Sequence, residues 1–320
     1  MEALDVVALG ELLIDFTCLT ADAGGYPTMA AHPGGAPANF LAALAKFGAK
    51  TALLAKVGAD AFGRRLIATL RALGVETRGI VTAEDVFTTL AFVTLDERGD
   101  REFSFARKPG ADTQLHFDEL DLSLIDRARA LHFGSLSLTD EPARETTRRA
   151  VEYAKAHFKL LSFDPNLRRP LWRSETEARE QMRWGLAQAD VVKLSDEEAA
   201  FLFGDDPAAC ARRLIGDYGV KLVFVTLGAE GCLAANAAAA LRVPAPAGIA
   251  VRDTTGAGDI FGGSAMSRLL ALGKSPDALS AEELAVVARF AAAAATLSTA
   301  RHGGIESVPE LGEVLAICGA

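Results

Sequence analysis

Cysteine is scarce in this sequence, and long apolar runs are absent from it. The four cysteines are widely spaced and form no Cys-x-x-Cys pair, which argues against a disulfide framework and against a zinc cluster. The longest apolar tract, residues 290–297, is much shorter than the about 20 residues that cross a bilayer. The N-terminus does not follow the order of a signal peptide. We therefore expect a protein of the reducing cytoplasm that has no membrane partner.

Positive charge is in deficit. Lysine and arginine number 33 against 42 aspartates and glutamates, so the formal net charge is −9. A polyphosphate partner normally requires a broad basic face, and we expect no nucleic-acid partner. A small anionic ligand needs only a few local donors, and the sequence does not exclude one.

Several common catalytic motifs are also missing. The sequence has no His-Glu-x-x-His and no Gly-x-Ser-x-Gly, and its five histidines share no metal-ligand spacing. These absences argue against a protein-borne zinc site and against serine hydrolysis. Gly256 and Gly258 begin like a dinucleotide fingerprint, but the next glycine, Gly262, comes one residue late. A nicotinamide-dependent oxidoreductase is therefore a poor fit.

The apolar residues, half of the chain, alternate between strand and helix patterns. Such alternation predicts right-handed βαβ units and a mainly parallel sheet with helices on both faces, where ligands bind beyond the carboxyl ends of the strands. The predicted strands are 4–10, 51–58, 130–134, 159–164, 189–194 and 221–228, and the predicted helices are 38–48, 61–74, 141–157, 197–204 and 207–219.

Two segments interrupt this rhythm. Residues 11–35 continue past the first strand, and residues 88–106 alternate apolar and polar positions around the charged turn DERGD, as a β-hairpin does. Together they could form a small second sheet over the edge of the main one, which would act as a lid. The alternative is that they are peripheral hairpins of the main domain.

The stretch DTTGAGD (253–259) contains candidate anion-binding and catalytic residues. Gly256, Ala257 and Gly258 have little side chain to shield their backbone N–H groups, and a helical pattern follows, so these amides predict an anion site at a helix N-terminus. Asp259 beside that anion could accept the proton of an attacking hydroxyl. The alternative is that Asp259 only caps the helix, but Asp253 adds a second carboxylate, which capping does not require.

Polar residues near the first predicted helix are of the types that bind the hydroxyls of a sugar. Gly34 and Gly35 permit a ligand to approach the backbone, and Asn39 offers the donor and acceptor that hydroxyls need. Asp15 interrupts an apolar strand, where an unpaired carboxylate is costly. The alternatives are that Asn39 serves the local backbone and that Asp15 pairs with a base.

The segment DPNLR (164–168) follows a predicted strand and so falls on the ligand-binding edge of the sheet. Asp164 and Asn166 could simply form the turn. Arg168 could reach a transferring phosphate, where its planar guanidinium fork is valuable.

Four motifs together closely resemble the ribokinase-like (PfkB) carbohydrate kinases: GGAPAN (34–39), DPNLR (164–168), VTLGAEGC (225–232) and DTTGAGD (253–259). The resemblance covers nearly the whole chain. It implies a three-layer α/β/α fold with a mainly parallel central sheet and a small β-sheet lid, formed as one kinase domain over residues 1–320 with the lid at about 11–35 and 85–108. Residues 101–112, 164–172 and 193–204 look most like fructokinases.

The resemblance also implies roles for individual residues. Asp259 matches the catalytic base, and residues 256–258 match the anion hole. The remaining positions are Asp15, Gly34, Gly35 and Asn39 for the sugar; Arg107 and Arg168 as further contacts to sugar or phosphate; Thr226, Gly228, Gly231 and Lys193 for the nucleotide; and Asp253, with backbone carbonyls near Thr255, Ser298 and Gly303, for a monovalent cation, K⁺.

Two positions depart from the family pattern. The asparagine of the family's Asn-x-x-Glu motif is Ser195 here, whereas the glutamate that is tied to Mg²⁺ remains as Glu198. Ala292 stands where relatives often have asparagine or histidine beside the adenine, so a phosphate donor other than ATP stays open. Mg²⁺ is expected to arrive with ATP, held largely by phosphates and water.

The implied reaction is transfer of the ATP γ-phosphate to a primary hydroxyl of a sugar, with fructose converted to fructose 6-phosphate as the first expectation. A kinase for 2-keto-3-deoxygluconate, ribose or a nucleoside is the alternative, followed by a non-catalytic sugar-sensing protein. The resemblance further implies a homodimer that forms through the lid.

Overall fold

Two β-sheets organise the chain. A computed structural model describes residues 2–95 and 101–319. Within those residues the strands are β1 (Leu4–Leu9), β2 (Leu13–Ala21), β3 (Pro27–Gly34), β4 (Thr51–Gly58), β5 (Ile80–Ala83), β6 (Leu90–Leu95), β7 (Arg101–Ala106), β8 (Ala128–Gly134), β9 (Leu160–Asp164), β10 (Val191–Ser195), β11 (Leu222–Thr226), β12 (Cys232–Asn236) and β13 (Ala240–Val243).

The central sheet has the order β13-β12-β11-β10-β9-β8-β1-β4-β5, nine strands within the described residues. The strands from β11 to β5 are parallel, whereas β12 and β13 pair antiparallel at one edge. All eight residues of β4 are buried, as expected for a strand covered on both faces. Strand β1 lies between β4 and β8, so the order of the strands reverses at β1. Ligands of open parallel sheets commonly bind at such a reversal, beyond the carboxyl ends of the strands.

Helices cover both faces of the central sheet and divide the core into two layers. Buried side chains of α1, α2, α8, α9 and α10 pack on one face, and those of α3 to α7 pack on the other. This three-layer arrangement confirms the predicted fold class. In the described part of the chain the helices are α1 (Ala36–Lys46), α2 (Ala61–Ala72), α3 (Leu122–Arg127), α4 (Ala143–Ala156), α5 (Glu175–Gln188), α6 (Asp196–Phe203), α7 (Pro207–Tyr218), α8 (Ala257–Leu272), α9 (Ala281–Ser298) and α10 (Leu311–Cys318).

The smaller sheet has the order β3-β2-β6-β7, and its strands lie in the two segments that interrupt the strand and helix rhythm of the sequence. Phe16 of β2 stacks on Phe92 of β6, with ring centroids 5.3 Å apart, and meets Phe62 of α2 edge-on at 5.8 Å. These contacts attach the smaller sheet to the main body. The predicted turn at residues 96–100 lies outside the described residues, and the role of this sheet as a lid stays a prediction.

Close packing of α1 against α8 brings distant parts of the sequence together. A side chain on Gly263 would place its Cβ 2.3 Å from the Phe40 carbonyl oxygen, so the backbones approach each other only because this residue is glycine. The approach sets Asn39 of α1 beside Asp259 of α8. The site described below depends on this contact.

No helix within residues 2–95 and 101–319 is both long enough and apolar enough to cross a membrane. The four cysteines are free thiols.

Candidate active site

One short turn separates two cavities at the carboxyl ends of the central strands. The first, of about 120 Å³, is called the polar cavity here, and the second, of about 360 Å³, the apolar cavity. Thr254 lines both of them, Gly256 and Asp259 face the polar one, and Ala257 and Gly258 face the apolar one. The turn predicted to form an anion hole is therefore the wall between the two cavities.

The start of α8 presents its amides without a capping side chain. Gly256 has φ of +74° and precedes the first helical residue, Ala257, and no side chain caps the helix. A positive φ is readily adopted only by glycine. Uncapped N–H groups at a helix N-terminus attract an anion, and the helix dipole adds to the attraction. The Ala257 amide makes a long hydrogen bond of 3.3 Å to the Thr254 carbonyl, and the Gly258 amide can offer a donor to a phosphoryl group.

Asp259 is held by side chains, and the capping alternative is therefore wrong for its carboxylate. Asn39 Nδ2 donates to Oδ2 at 2.9 Å, and Asn166 Nδ2 donates to Oδ1 at 3.0 Å. Asp259 is buried, with 8% of its surface exposed. Burial raises the pKa of Asp259, while the charges of Lys193 and Arg168 and the two amide hydrogen bonds oppose that rise. A carboxylate in these surroundings is a competent proton acceptor.

Other carboxyl groups line the polar cavity with Asp259. Burial raises the pKa of Asp15 to about 7, and burial likewise raises the pKa of Glu11 to about 7. Glu11 Oε1 accepts a hydrogen bond from the Ala36 amide at 2.8 Å. Asn39 also lines this cavity, and its Oδ1 has no hydrogen-bond partner within the described chain. Carboxyl and amide groups of this kind recognise hydroxyls.

Arg168 lines the polar cavity together with Asp15, Gly35 and Asn39, so the structure brings together most of the residues predicted for sugar or phosphate. Gly34 lies just behind them. A Cβ at Gly34 would be 2.0 Å from Asp15 Oδ2, so Gly34 makes room for that carboxylate. The positive charge of Arg168 acts on both Asp15 and Asp259.

The apolar cavity contains three of the four positions predicted for the nucleotide, Thr226, Gly228 and Gly231, whereas the fourth, Lys193, does not line it. Thr226 is the last residue of β11, Gly228 and Gly231 belong to the next turn, and Ala292 of α9 also lines the cavity. Most of the other lining residues are apolar, which suits a planar aromatic base. They include Ala245, Pro246, Ile249, Val251, Phe261 and Ala295.

Lys193 lies beneath the wall and pairs with Asp164. Its Nζ is 2.7 Å from Asp164 Oδ2 and 2.9 Å from the point where a Cβ on Gly258 would be. Burial raises the pKa of Asp164 to about 7 in spite of the lysine. Burial alone would lower the pKa of Lys193, but the charges of Asp164, Glu198 and Asp259 outweigh burial, so that pKa is raised. Lys193 lines neither the polar nor the apolar cavity, and its predicted contact with phosphate stays a prediction.

Glu198 uses both of its oxygens within the chain. Oε1 accepts from the Leu167 amide at 2.6 Å, and Oε2 accepts from the Ser195 amide at 2.8 Å. Glu198 thereby ties the 164–168 loop to the start of α6. Among the described residues no group of three or more histidine, cysteine or acidic side chains could hold a metal ion.

Arg107 lines neither the polar nor the apolar cavity, and its guanidinium is held by groups of the chain. Its Nε donates to Asp112 Oδ2 at 2.8 Å, Nη1 to Thr139 Oγ1 at 2.8 Å and Nη2 to the Leu136 carbonyl at 2.9 Å. The side chains of Arg107 and Asp112 are almost fully buried. The structure thus places Arg107 behind the polar cavity, where its guanidinium holds the loop after β7 in place.

Asp253 gathers the residues predicted for a monovalent cation. Its Oδ1 accepts from the Thr255 amide at 2.9 Å and the Thr255 hydroxyl at 2.7 Å, and its Oδ2 accepts from the Gly303 amide at 3.0 Å. The Asp253 amide donates to the Thr299 carbonyl at 3.0 Å, next to Ser298 at the end of α9. The Asp253 carboxylate and the Thr299 carbonyl are oxygen groups of the kind that bind a hard cation, and the monovalent-cation site stays a prediction.

The sequence patterns did not assign several residues of the polar cavity. Glu11 comes two residues after the end of β1, and a carboxylate at the carboxyl end of a parallel strand is the signal that could have identified it. The position of Asn166 in the sequence indicates only a turn residue. Leu13, Ala36, Phe105 and Leu136 carry no polar group that would have drawn attention, although all of them line the cavity.

Taken together, the fold and the site define a phosphotransferase that acts on a hydroxyl group. A buried carboxylate faces the polar cavity, and one turn at the start of α8 separates that cavity from the larger apolar one. The chain belongs to the pfkB family of carbohydrate kinases, whose family model matches residues 3–311.

Named relatives agree with this assignment. The chain is 42% identical to fructokinase-1 of Zea mays over 316 residues, covering 98% of this chain and 97% of that protein. The fructokinase of Xylella fastidiosa with bound ATP superposes with a TM-score of 0.90 at 32% identity, covering 98% of each chain. A double mutant of the fructokinase of Vibrio cholerae O395, with fructose, ADP and a potassium ion bound, gives a TM-score of 0.85 at 30% identity, covering 99% of each chain.

Proposed function

We propose that this chain is an ATP-dependent fructokinase that transfers the γ-phosphate of ATP to the primary hydroxyl of fructose, forming fructose 6-phosphate. The observation that carries the proposal is the wall between the cavities: the Asp259 carboxylate is on the polar side, and the amide-bearing residues Ala257 and Gly258 are on the apolar side. An acceptor hydroxyl and a phosphoryl group would therefore meet at the start of α8. Full-length similarity to fructokinases supports fructose as the acceptor.

The reaction uses groups of the chain in a simple order. Asp15 and Asn39 bind hydroxyls of the sugar and orient the primary hydroxyl toward Asp259. Asp259 accepts its proton as the hydroxyl oxygen attacks the γ-phosphorus and the bond to the bridging oxygen of ADP breaks. The amides at the start of α8, with Arg168 on the sugar side, stabilise the negative charge of the transferring phosphoryl group.

Two cations complete the proposal. Mg²⁺ accompanies ATP and neutralises phosphate charge, and K⁺ is held by Asp253 and the carbonyls of the loops around Thr255, Ser298 and Gly303. The potassium ion in the related fructokinase supports the second cation. Its place close to the start of α8 would strengthen the attraction of the anion hole for phosphate.

The proposal also includes a role for the smaller sheet, an oligomeric state and a cellular compartment. The smaller sheet closes over the polar cavity when sugar binds and excludes water, so that ATP is not hydrolysed. Exposed apolar side chains, Leu19 on β2 and Tyr26 beside β3, support a homodimer through this sheet, and the mass of the native particle by light scattering checks it. Four free thiols suit a reducing cytoplasm.

The deciding experiment measures ADP release from Mg-ATP in the presence of K⁺. The acceptors are fructose, ribose, glucose, 2-keto-3-deoxygluconate, fructose 6-phosphate and adenosine. We expect selective turnover of fructose, and Asp259→Asn should reduce kcat by at least about 100-fold, the low end for one general base. Asp118→Asn serves as the control, because Asp118 is exposed and lines neither cavity.

Each other outcome has a definite meaning. Selective turnover of another acceptor keeps the mechanism and replaces fructose. Near-normal turnover by Asp259→Asn removes that residue as the base. No turnover with any acceptor, while fructose still binds by calorimetry, identifies a sugar-sensing protein.

A further inference from the structure

We propose that Asn166 is a positioning residue for phosphoryl transfer: it holds the Asp259 carboxylate in the orientation and charge state that a base requires, and the buried Asp164–Lys193 pair holds Asn166. This inference rests on the proposed function and deepens it. It assigns a role in the chemistry to three residues whose positions in the sequence suggested only a turn and a phosphate contact.

The two oxygens of Asp259 are held by two different parts of the chain. Asn39 of α1 donates to one at 2.9 Å, and Asn166 of the loop after β9 donates to the other at 3.0 Å. Two donors from opposite sides prevent rotation of the carboxylate. Hydrogen bonds from N–H groups also stabilise the charged form of a carboxyl group over its neutral form. Both asparagines also line the polar cavity, and each directs its amide nitrogen at one oxygen of Asp259.

The backbone around Asn166 is fixed on both sides. Asn166 has φ of +46°, a conformation that asparagine tolerates better than most residues. Its own amide donates to Asp164 Oδ1 at 3.2 Å, and the next amide, at Leu167, donates to Glu198 Oε1 at 2.6 Å. Both acceptors are buried carboxylates. The Asn166 side chain therefore leaves the loop in one defined direction.

Lys193 supports this arrangement through its ion pair with Asp164. Its Nζ contacts Asp164 Oδ2 at 2.7 Å, while the other oxygen of Asp164 accepts from Asn166. The contacts form a continuous series of residues: Lys193, Asp164, Asn166 and Asp259. A buried carboxylate that lost its cation would take up a proton, and the acceptor for the Asn166 amide would weaken.

In addition to the two asparagine amides, four charged side chains act on Asp259. The cations are Lys193 on β10 and Arg168 in the loop after β9, and the carboxylates are Asp15 on β2 and Asp164 at the end of β9. Cations and hydrogen bonds favour the ionised base, whereas burial and the carboxylates oppose it. Removal of the Asn166 donor shifts this balance toward the protonated acid.

The test compares the pH dependence of kcat/KM for fructose in the wild type, Asn166→Gly and Asn166→Asp. Glycine accepts the positive φ and removes the side chain. Aspartate is nearly the same size but replaces the donor with an oxygen and adds a like charge. We expect the acidic limb, which reports the free base, to move to higher pH by about one unit for glycine and further for aspartate. At a pH below the limb this gives about a tenfold loss in rate for glycine.

A matched control is available at Asn236. It is buried to a similar degree, 5% exposed against 6% for Asn166. Its Nδ2 donates to the Leu279 carbonyl at 2.9 Å, and it lies on β12, which pairs with β11 next to the edge strand β13. Asn236→Asp should lower the melting temperature and leave the acidic limb in place.

A second measurement does not depend on turnover. Carboxyl ¹³C NMR of the aspartates, with Asp259→Asn to assign the resonance, should show the pKa of Asp259 rising in the same order. Unchanged limbs and an unchanged Asp259 titration in folded Asn166 variants would overturn the proposal. So would a large rise in the fructose KM with unchanged kcat, which would make Asn166 a sugar ligand. If the wild type has no kinase activity, the proposed function fails, and the NMR titration still decides the role of Asn166.

Discussion

The ring of His132 on β8 stacks on the ring of Phe40 on α1, with centroids 3.7 Å apart and planes within 5° of parallel. The His132 Nδ1 atom is 3.0 Å from Ser162 Oγ. Burial, with the positive charge of Lys193, lowers the pKa of His132 to about 3. The imidazole is therefore neutral in the folded protein and belongs to the layer that supports α1 beneath the site.

The neutral state of His132 predicts a loss of stability in acid. A histidine in the unfolded chain has a pKa of about 6.5. Between about pH 6.5 and about pH 3, the histidine is protonated in the unfolded state but stays neutral in the folded state. The free energy of unfolding should fall by about 1.4 kcal/mol per pH unit from this group, about 2 kcal/mol at pH 5. His132→Gln should remove that part of the loss.

Urea unfolding at pH 7 and pH 5 measures the effect, with His157→Gln on the exposed end of α4 as the control. Asp15 and Glu11, whose pKa values are raised to about 7, act in the opposite direction, because the folded state protonates them first. Their contribution is common to both proteins and cancels in the difference. An equal pH dependence for His132→Gln and the wild type would contradict the prediction.

The contact between α1 and α8 predicts a linked effect on stability and rate. Gly263→Ala would bring a Cβ within 2.3 Å of the Phe40 carbonyl oxygen, and we expect a cost of about 1–3 kcal/mol. Because the helices must separate, Asn39 withdraws from Asp259 and kcat should also fall. Gly216→Ala in α7, where nothing lies within 4 Å of the new Cβ, should instead stabilise the protein by about 0.5–1 kcal/mol. Urea unfolding and kcat report both variants.

The apolar cavity predicts that donor binding can be weakened separately from sugar binding. Ala295 of α9 lines the cavity, and Ala295→Phe should fill the space for the base and raise the KM for ATP at least about tenfold, a loss of about 1.4 kcal/mol in binding. Fructose binding by calorimetry should not change. Val286→Phe on the exposed face of the same helix, where the valine is 50% exposed, should leave both unchanged. An unaffected KM for ATP in Ala295→Phe would place the nucleotide elsewhere.

Arg107 gives a prediction that separates a structural role from a binding role. Arg107→Met removes the cation that pairs with the buried Asp112, which also accepts from the Thr89 hydroxyl, and should cost about 3–5 kcal/mol in the free energy of unfolding. Arg107→Met combined with Asp112→Leu removes both charges and should recover most of that stability. If Arg107 is structural, the double variant keeps the fructose KM. A KM that rises more than about tenfold, or about 1.4 kcal/mol, would show the sugar contact that the sequence resemblance implies.

Strand and helix periodicity was enough to predict most of the central sheet. β4 matches its predicted range of 51–58, and β9 and β11 differ from theirs by only a few residues. The antiparallel edge formed by β12 and β13 was not predicted, because CLAAN and ALRV are short and lack the β-branched alternation of a typical strand. Helix α5 was also not predicted, since its sequence ETEAREQMRWGLAQ is largely polar and presents a weak apolar face.

The site shows a similar division. The glycines and Asp259 of the DTTGAGD stretch could be predicted, because only a few turn chemistries place a carboxylate beside bare amides. The partners of Lys193, Glu198 and Arg107 could not, since a sequence shows that a charge follows a strand but not which buried group it meets. Asp164 precedes Lys193 by 29 positions, and only the parallel packing of β9 against β10 sets the two side chains side by side.

The Asp259 carboxylate receives its two hydrogen bonds from residues that are 220 and 93 positions away in the chain. No fragment that omits α1, the loop after β9 or the start of α8 contains a complete base. During refolding, helices and hairpins can form early from local contacts, but the site is assembled only when these three distant segments have docked. The recovery of activity therefore reports the last docking step of the whole chain, and a single nick that releases α1 abolishes turnover while leaving most of the secondary structure in place.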